Sequence, residues 1–320
     1  MGLGRVTAFL LTCAFGATFS VGPANADRIN ALEYAPDGTV LAVASTNGNK
    51  SLLQILDSGN YDAVKSVEIT KEVVDIAYSP SGKFLAVARN IRNNLYVIEV
   101  RRAGNLAVYR SLKVKDVSPF TTHKIAFVGD TKMLAIARFS EPLLVWSFRK
   151  STPKTDKYES WITGVASPTK GKQVAYGRGD TTSVLNLKKN KEKSFGKDGS
   201  SISYGKGNKR LAVGREGAIN IYNPKNGKLV SSIRRLDGTP SVISFQSKGN
   251  LLATVGIGAD VAVYNTKSGE RLFRAMMIGA DDFMDASLSP NGKLVAAGSE
   301  FGTLSVWDVK SGSLIFSADY

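Results

Sequence analysis

A chain of 320 residues with a formal charge of +15, a single histidine and a single cysteine has the length of two ordinary domains or of one large all-β domain. One histidine and one cysteine leave no material for a zinc site of several His or Cys ligands, and a lone histidine without a Gly-x-Ser-x-Gly elbow gives a serine hydrolase no support. Phosphate-cradling loops are missing too, since Gly205-Lys206-Gly207 and Gly256-Ile257-Gly258 lack a third glycine and a strand-to-helix setting.

Residues 1–26 read as a secretory signal. Arg5 supplies the positive start, residues 6–19 an apolar stretch, and Ala24-Asn25-Ala26 a small-residue cleavage site before Asp27. The apolar stretch is short for a bilayer core of about 30 Å. Cleavage after Ala26 removes Cys13, and a chain without disulfides then relies on a large core. The expected location is periplasmic or secreted, in a bacterial cell.

From residue 27 onward one short pattern recurs. Its marker is a Leu-Ala-Val-like triplet, found at Leu41-Ala42-Val43, Leu85-Ala86-Val87, Leu134-Ala135-Ile136, Val174-Ala175-Tyr176, Leu211-Ala212-Val213, Leu252-Ala253-Thr254 and Leu294-Val295-Ala296. Successive markers are 44, 49, 40, 37, 41 and 42 residues apart. Seven units of this length, each reading as four short strands, predict an all-β, seven-bladed propeller of four-stranded antiparallel blades. No unit holds a 3.6-periodic apolar run long enough for a helix pair.

Two turns punctuate each unit. Before the marker come Ala35-Pro36-Asp37-Gly38, Ser79-Pro80-Ser81-Gly82 and Ser289-Pro290-Asn291-Gly292, where Pro presets φ and Gly takes the positive value. After the third strand, Asp57, Asn223, Asn265 and Asp308 open a second turn, in which the side chain closes an Asx ring on a backbone N–H two residues on.

With Trp307-Asp308, Tyr222-Asn223, Tyr264-Asn265 and Trp146-Ser147 at matching positions, residues 27–320 resemble the WD-repeat propeller family. The resemblance implies a rigid scaffold with an aromatic packed between blades. The family's Gly-His dipeptide is absent because the only histidine is His123, so its histidine-centred hydrogen-bond network has no counterpart. Residues 29–34 read as the innermost strand of blade 1, and blade 7 supplies its own fourth strand. Closure is therefore expected by packing of blade 1 on blade 7 without strand exchange, at the cost of an insufficiently buried seam.

Departures from the repeat concentrate in blades 2 to 5. Residues 89–94, 101–104, 115–122 and 149–157 read as lengthened loops, with Arg92, Arg101, Arg102, Arg149, Lys150 and Lys154 as candidate contacts. Between Arg149 and Arg235 there are 20 Lys or Arg against 6 Asp or Glu, which suggests an acidic partner or surface. Lys188, Lys189, Lys191, Lys193, Lys197, Lys206, Lys209, Arg210 and Arg215 form a candidate partner-binding sector on blades 4 and 5. Nucleic acid is disfavoured there, because stacking aromatics are sparse. Asp75 and Asp285 hold equivalent inner-strand positions, whereas the other inner strands read as lacking a matching carboxylate; no catalytic, cofactor or metal residue is assigned.

The expectation is a non-enzymatic exported scaffold that binds acidic or envelope-associated protein partners through the basic face of blades 4 and 5. The alternative is a propeller enzyme or a binder of a metal or small ligand in the central channel. It requires polar side chains from several blades to converge there.

Overall fold

The computed structural model describes residues 27–320 except 93–94, 116–122, 139–140, 151–152, 156–161, 179–180, 197–198, 200, 235, 237, 257–259 and 277–281, and of residues 123, 154 and 155 the backbone alone. The signal-like residues 1–26 and Lys197 lie outside the described residues. The rest form seven four-stranded antiparallel sheets, each a meander of consecutive strands. The predicted seven-bladed propeller is the fold.

Each marker triplet lies in the second strand of its blade, and all of its residues but the half-buried Leu294 are buried. That position explains its composition, since a strand covered on both sides needs small or branched apolar residues rather than alternation. Seven apolar clusters hold the ring together, and each joins two neighbouring blades. The third-strand aromatics fill them as expected. Trp146 packs with Tyr96 and Ile98 of blade 2, Tyr222 lies 5.2 Å from Phe195 of blade 4, and Trp307 lies 5.7 Å from Phe273 of blade 6.

The turns follow their side chains. Gly38, Gly82 and Gly292 adopt φ of 77°, 69° and 73°, values a Cβ resists. Asp57 Oδ1 accepts the Gly59 N–H at 2.8 Å, Asn265 Oδ1 the Lys267 N–H at 2.9 Å, and Asp308 Oδ1 the Lys310 N–H at 3.0 Å.

The ring closes without strand exchange, blade 1 and blade 7 each being complete from its own chain segment. The expected thin seam is not found. Ile29, Leu304 and Val306 are fully buried in a cluster shared by the two blades, and the Asp27 N–H donates to the Tyr320 carbonyl at 3.1 Å. Gly298 makes this contact possible, because a Cβ there would run into Ile29 and Leu32.

Blade 2 also differs from the sequence reading. Residues 89–92 extend its second strand, Phe84–Arg92, with Arg92 paired to Leu95 in the third strand. Arg101 and Arg102 end that third strand, Leu95–Arg102. The turn that follows, residues 103–107, is no longer than the matching 58–62 of blade 1. These segments are long strands, not inserted loops.

Candidate functional site

Two features of the ring could carry function: the axial cavity, and the end where the turns gather.

The cavity measures about 850 Å³ and is lined by the inner strands of all seven blades. Asp75 and Asp285 line it at equivalent registers, opposite Ala88 and Gly298. Glu33 and Lys124 line it too, and the sequence reading missed both. Counting back from the marker strand would have found them, since Glu33 pairs with Ala42 and Lys124 with Ala137.

The carboxylates are structural first. Asp285 Oδ2 accepts the Leu32 N–H of blade 1 at 2.8 Å, and Asp75 Oδ2 accepts the Ile125 N–H of blade 3 at 2.7 Å. Glu33 accepts the Tyr78 N–H of blade 2. Serines do the same elsewhere: Ser203 Oγ takes the Phe245 N–H, Ser244 Oγ that of Leu288 and Ser287 Oγ that of Tyr34, at 3.0 to 3.1 Å. These side chains tie inner strands together at five boundaries, blades 1–2, 2–3, 5–6, 6–7 and 7–1, and satisfy donors that the cavity wall would otherwise strand. They link neighbouring blades through side chains on the axis.

Burial dominates the electrostatics of the axis. Desolvation pushes the Glu33 carboxyl up to about 8, with Asp75 and Asp285 adding repulsion. It pushes Asp285 up to about 6 and raises Asp75, both opposed by Lys124. Lys124, 3.1 Å from Asp75, is held charged by the two aspartates. Among the described residues no group of three His, Cys, Asp or Glu is placed to hold a metal ion.

The other feature is one end of the ring. In an antiparallel meander the turn between the first and second strands and the turn between the third and fourth lie at the same end. Six blades bond these two turns together, as in Leu187 N–H to Lys172 O at 2.9 Å and Val309 N–H to Lys293 O at 2.8 Å. Neighbouring blades are bonded as well: the Thr169 N–H donates to Asn208 Oδ1 at 2.9 Å, and the Lys206 N–H to Gln246 O at 3.2 Å. The cavity reaches this end, where Pro36, Lys170, Lys248 and Pro290 help to line it.

The nine residues of the predicted basic sector do not share one surface. Lys188, Lys189, Lys206 and Lys209 occupy turns at this end, with Arg210 beginning the strand that follows Lys209. Lys191 and Lys193 project from the exposed outer strand of blade 4, Lys191–Phe195. Arg215 closes the second strand of blade 5 at the opposite end. Lys197 is outside the described residues.

The candidate contacts of blades 2 and 3 divide similarly. Arg101 is 7% exposed and pairs with Glu99, itself 5% exposed, while its Nη1 donates to Leu106 O at 2.8 Å. It is a structural cation with little of its charge offered to solvent. Arg102 lies 5.3 Å from the centre of the Tyr109 ring, which Arg110 and Lys132 also approach. Arg92, Arg149 and Lys150 are exposed. Lys154 lies in the short outer strand of blade 3, Lys154–Thr155.

Exposed apolar side chains stand singly on the outer strands of blades 1, 2 and 6, at Val64, Val108, Leu272 and Met276, and as adjacent pairs on those of blades 5 and 7. Leu229 and Val230 begin the strand Leu229–Arg234 at 53% and 46% exposure, and Leu314 and Ile315 begin Leu314–Asp319 at 54% and 53%. Compared with family models and with curated proteins, the chain matches none.

Proposed function

We propose that the protein is a non-enzymatic scaffold of the bacterial cell envelope, exported by its leader-like residues 1–26, that holds an acidic protein partner against the flank of its ring. Its blades are read as diverged WD-type repeats, on the strength of Trp307-Asp308 and its counterparts.

The supporting observation is the pair of apolar residues that opens the outer strands of blades 5 and 7. An outer strand leaves one row of backbone N–H and C=O groups unpaired, and protected edges usually carry charges. Blade 4 follows that pattern with Lys191-Glu192-Lys193, and blade 2 with Arg110, Lys113 and Lys115 after the single exposed Val108. Blades 5 and 7 instead present Leu229-Val230 and Leu314-Ile315 directly after the lysine-bearing turns. An extended segment added to such an edge gains main-chain hydrogen bonds and apolar contact. Acidic residues flanking that segment would meet Lys225, Lys228, Lys310 and the lysines of blade 4.

The test is recovery of the partner from native envelope on the purified protein. Replacement of Leu229, Val230, Leu314 and Ile315 by lysine should abolish recovery. Charge reversal of Lys188, Lys189, Lys191 and Lys193 should weaken it and flatten its salt dependence. Unchanged recovery with both variants would overturn the reading.

A second reading, a ligand bound on the axis, has the 850 Å³ cavity and its mixed charges in its favour. Calorimetric titration with Ca²⁺ tests the metal version, and a protein that takes up none at millimolar concentration removes it.

A further inference from the structure

The charge of this chain is sorted by end of the ring more sharply than by position along the sequence. The fourteen turns at one end carry sixteen Lys or Arg against four acids, Asp37, Asp62, Asp130 and Glu270, with Asp57 and Asp308 at the strand ends that open two of them. Described connections at the other end carry Glu72, Glu141, Glu216, Asp282 and Glu300 against one cation, Lys71. The cations belong to six of the seven blades, and all but Lys132 and Lys206 are exposed. Among the described residues none of the sixteen has an acidic side chain within 4.0 Å. Such an array holds mobile counterions that a polyanion would release.

We infer that this turn end is a docking face for an anionic lipid bilayer, on which the ring lies with its axis along the membrane normal. Three observations favour a bilayer over another polyanion. First, the charges stand on turns bonded to one another within blades and between neighbours, so they form a broad rigid platform, matched to a planar surface rather than to a groove-bearing rod. Second, fifteen of the sixteen are lysine. Protein interfaces are depleted in lysine and are anchored by Tyr, Trp and Arg, whereas hydrated lysine clusters suit lipid headgroups. Third, the aromatic side chains in these turns, Tyr61 and Phe148, are buried at 5% and 1% exposure. They offer neither an anchor for a protein partner nor a stacking platform for single-stranded nucleic acid.

The inference goes beyond the scaffold reading and survives without it, because the bilayer contact needs no protein partner. The two draw on shared turn lysines, Lys188, Lys189, Lys225, Lys228 and Lys310, so a ring lying on its turn end leaves a partner the outer strands from the side.

The test is co-sedimentation of purified protein with vesicles of 30% phosphatidylglycerol in phosphatidylcholine at 0.1 M NaCl. Binding is expected to these and not to pure phosphatidylcholine, and to be lost at 0.5 M NaCl. Reversal of six turn lysines to glutamate, Lys170, Lys172, Lys188, Lys189, Lys225 and Lys228, should lower the partition constant at least tenfold. Reversal of six cations away from this face, Lys50, Lys71, Arg92, Lys113, Lys115 and Arg234, should lower it much less. That control separates the face from net charge, and a retained unfolding temperature shows that both variants fold. Equal losses from the two variants would overturn the inference. So would vesicle binding that is absent while polyglutamate or a DNA duplex binds.

Discussion

Asp285, on the inner strand of blade 7, accepts the backbone N–H of Leu32 from blade 1 at 2.8 Å, across the seam where the two ends of the chain meet. The bond joins residues 253 apart in sequence, and it repeats what Asp75 does for Ile125 between blades 2 and 3. The seam is thus stitched by the same device as an internal blade boundary.

Removing that acceptor should open the seam. Asp285→Ala leaves the buried Leu32 N–H unpaired, a loss of about 1–3 kcal/mol, whereas Asp285→Asn keeps an oxygen in place and should cost much less. Urea unfolding of the two variants measures the difference. Equal losses would show that the carboxylate charge, not the acceptor, holds the seam.

The axial carboxyls should make stability depend on pH in an unusual direction. Glu33 titrates near 8 in the folded protein against an ordinary 4.5, and Asp285 near 6 against 3.8. Each therefore prefers its proton in the folded state, so stability is greatest below the unfolded values and falls as pH rises through the folded ones. Melting temperature should decline between pH 5 and pH 8.5 in the part due to Glu33. Glu33→Gln should flatten that decline, raising the melting temperature by a few degrees at pH 8.5 and little at pH 5. A variant that shifts both equally would contradict the assignment.

Close packing at the seam predicts a coupled pair. Gly298→Ala places a Cβ against Ile29 and Leu32 and should destabilise by about 1–3 kcal/mol, as overpacking does. Ile29→Ala costs stability by itself, but combined with Gly298→Ala it should cost less than the two losses added together. A double-mutant cycle with no coupling would show that the backbone moves aside instead.

Blade 2 holds a buried ion network. Glu99 meets Arg89 at 2.9 Å as well as Arg101, so Glu99→Ala strands a buried guanidinium and should cost about 3–5 kcal/mol. Replacing Glu99 and Arg101 together by leucine and methionine should restore most of it. Unfolding that leaves the single variant at wild-type stability would remove this role.

The architecture was legible because a strand buried on both faces must be small and apolar, and that requirement repeats as the Leu-Ala-Val marker. Asx turns were legible for the same local reason. Arg101 was misread since a cation beside a glycine-containing turn resembles a loop residue, and only the fold brings Glu99 to it. Glu33 went unnoticed because it stands two places along the inner strand from the residue equivalent to Asp75, so its channel position appears only once strand register is known. The basic sector blurred for a geometric reason. A window along the chain mixes both ends of each blade, while the fold gathers turns from distant blades at one end.

The central claim, a partner held on the ring's flank, is tested most directly by a photo-crosslinking residue at Ile315, in living cells. The account predicts one discrete protein adduct at Ile315 and the same adduct from Val230. The exposed Lys50 at the opposite end should give none. Adducts of equal yield from all three positions, or none from Ile315 and Val230, would contradict it.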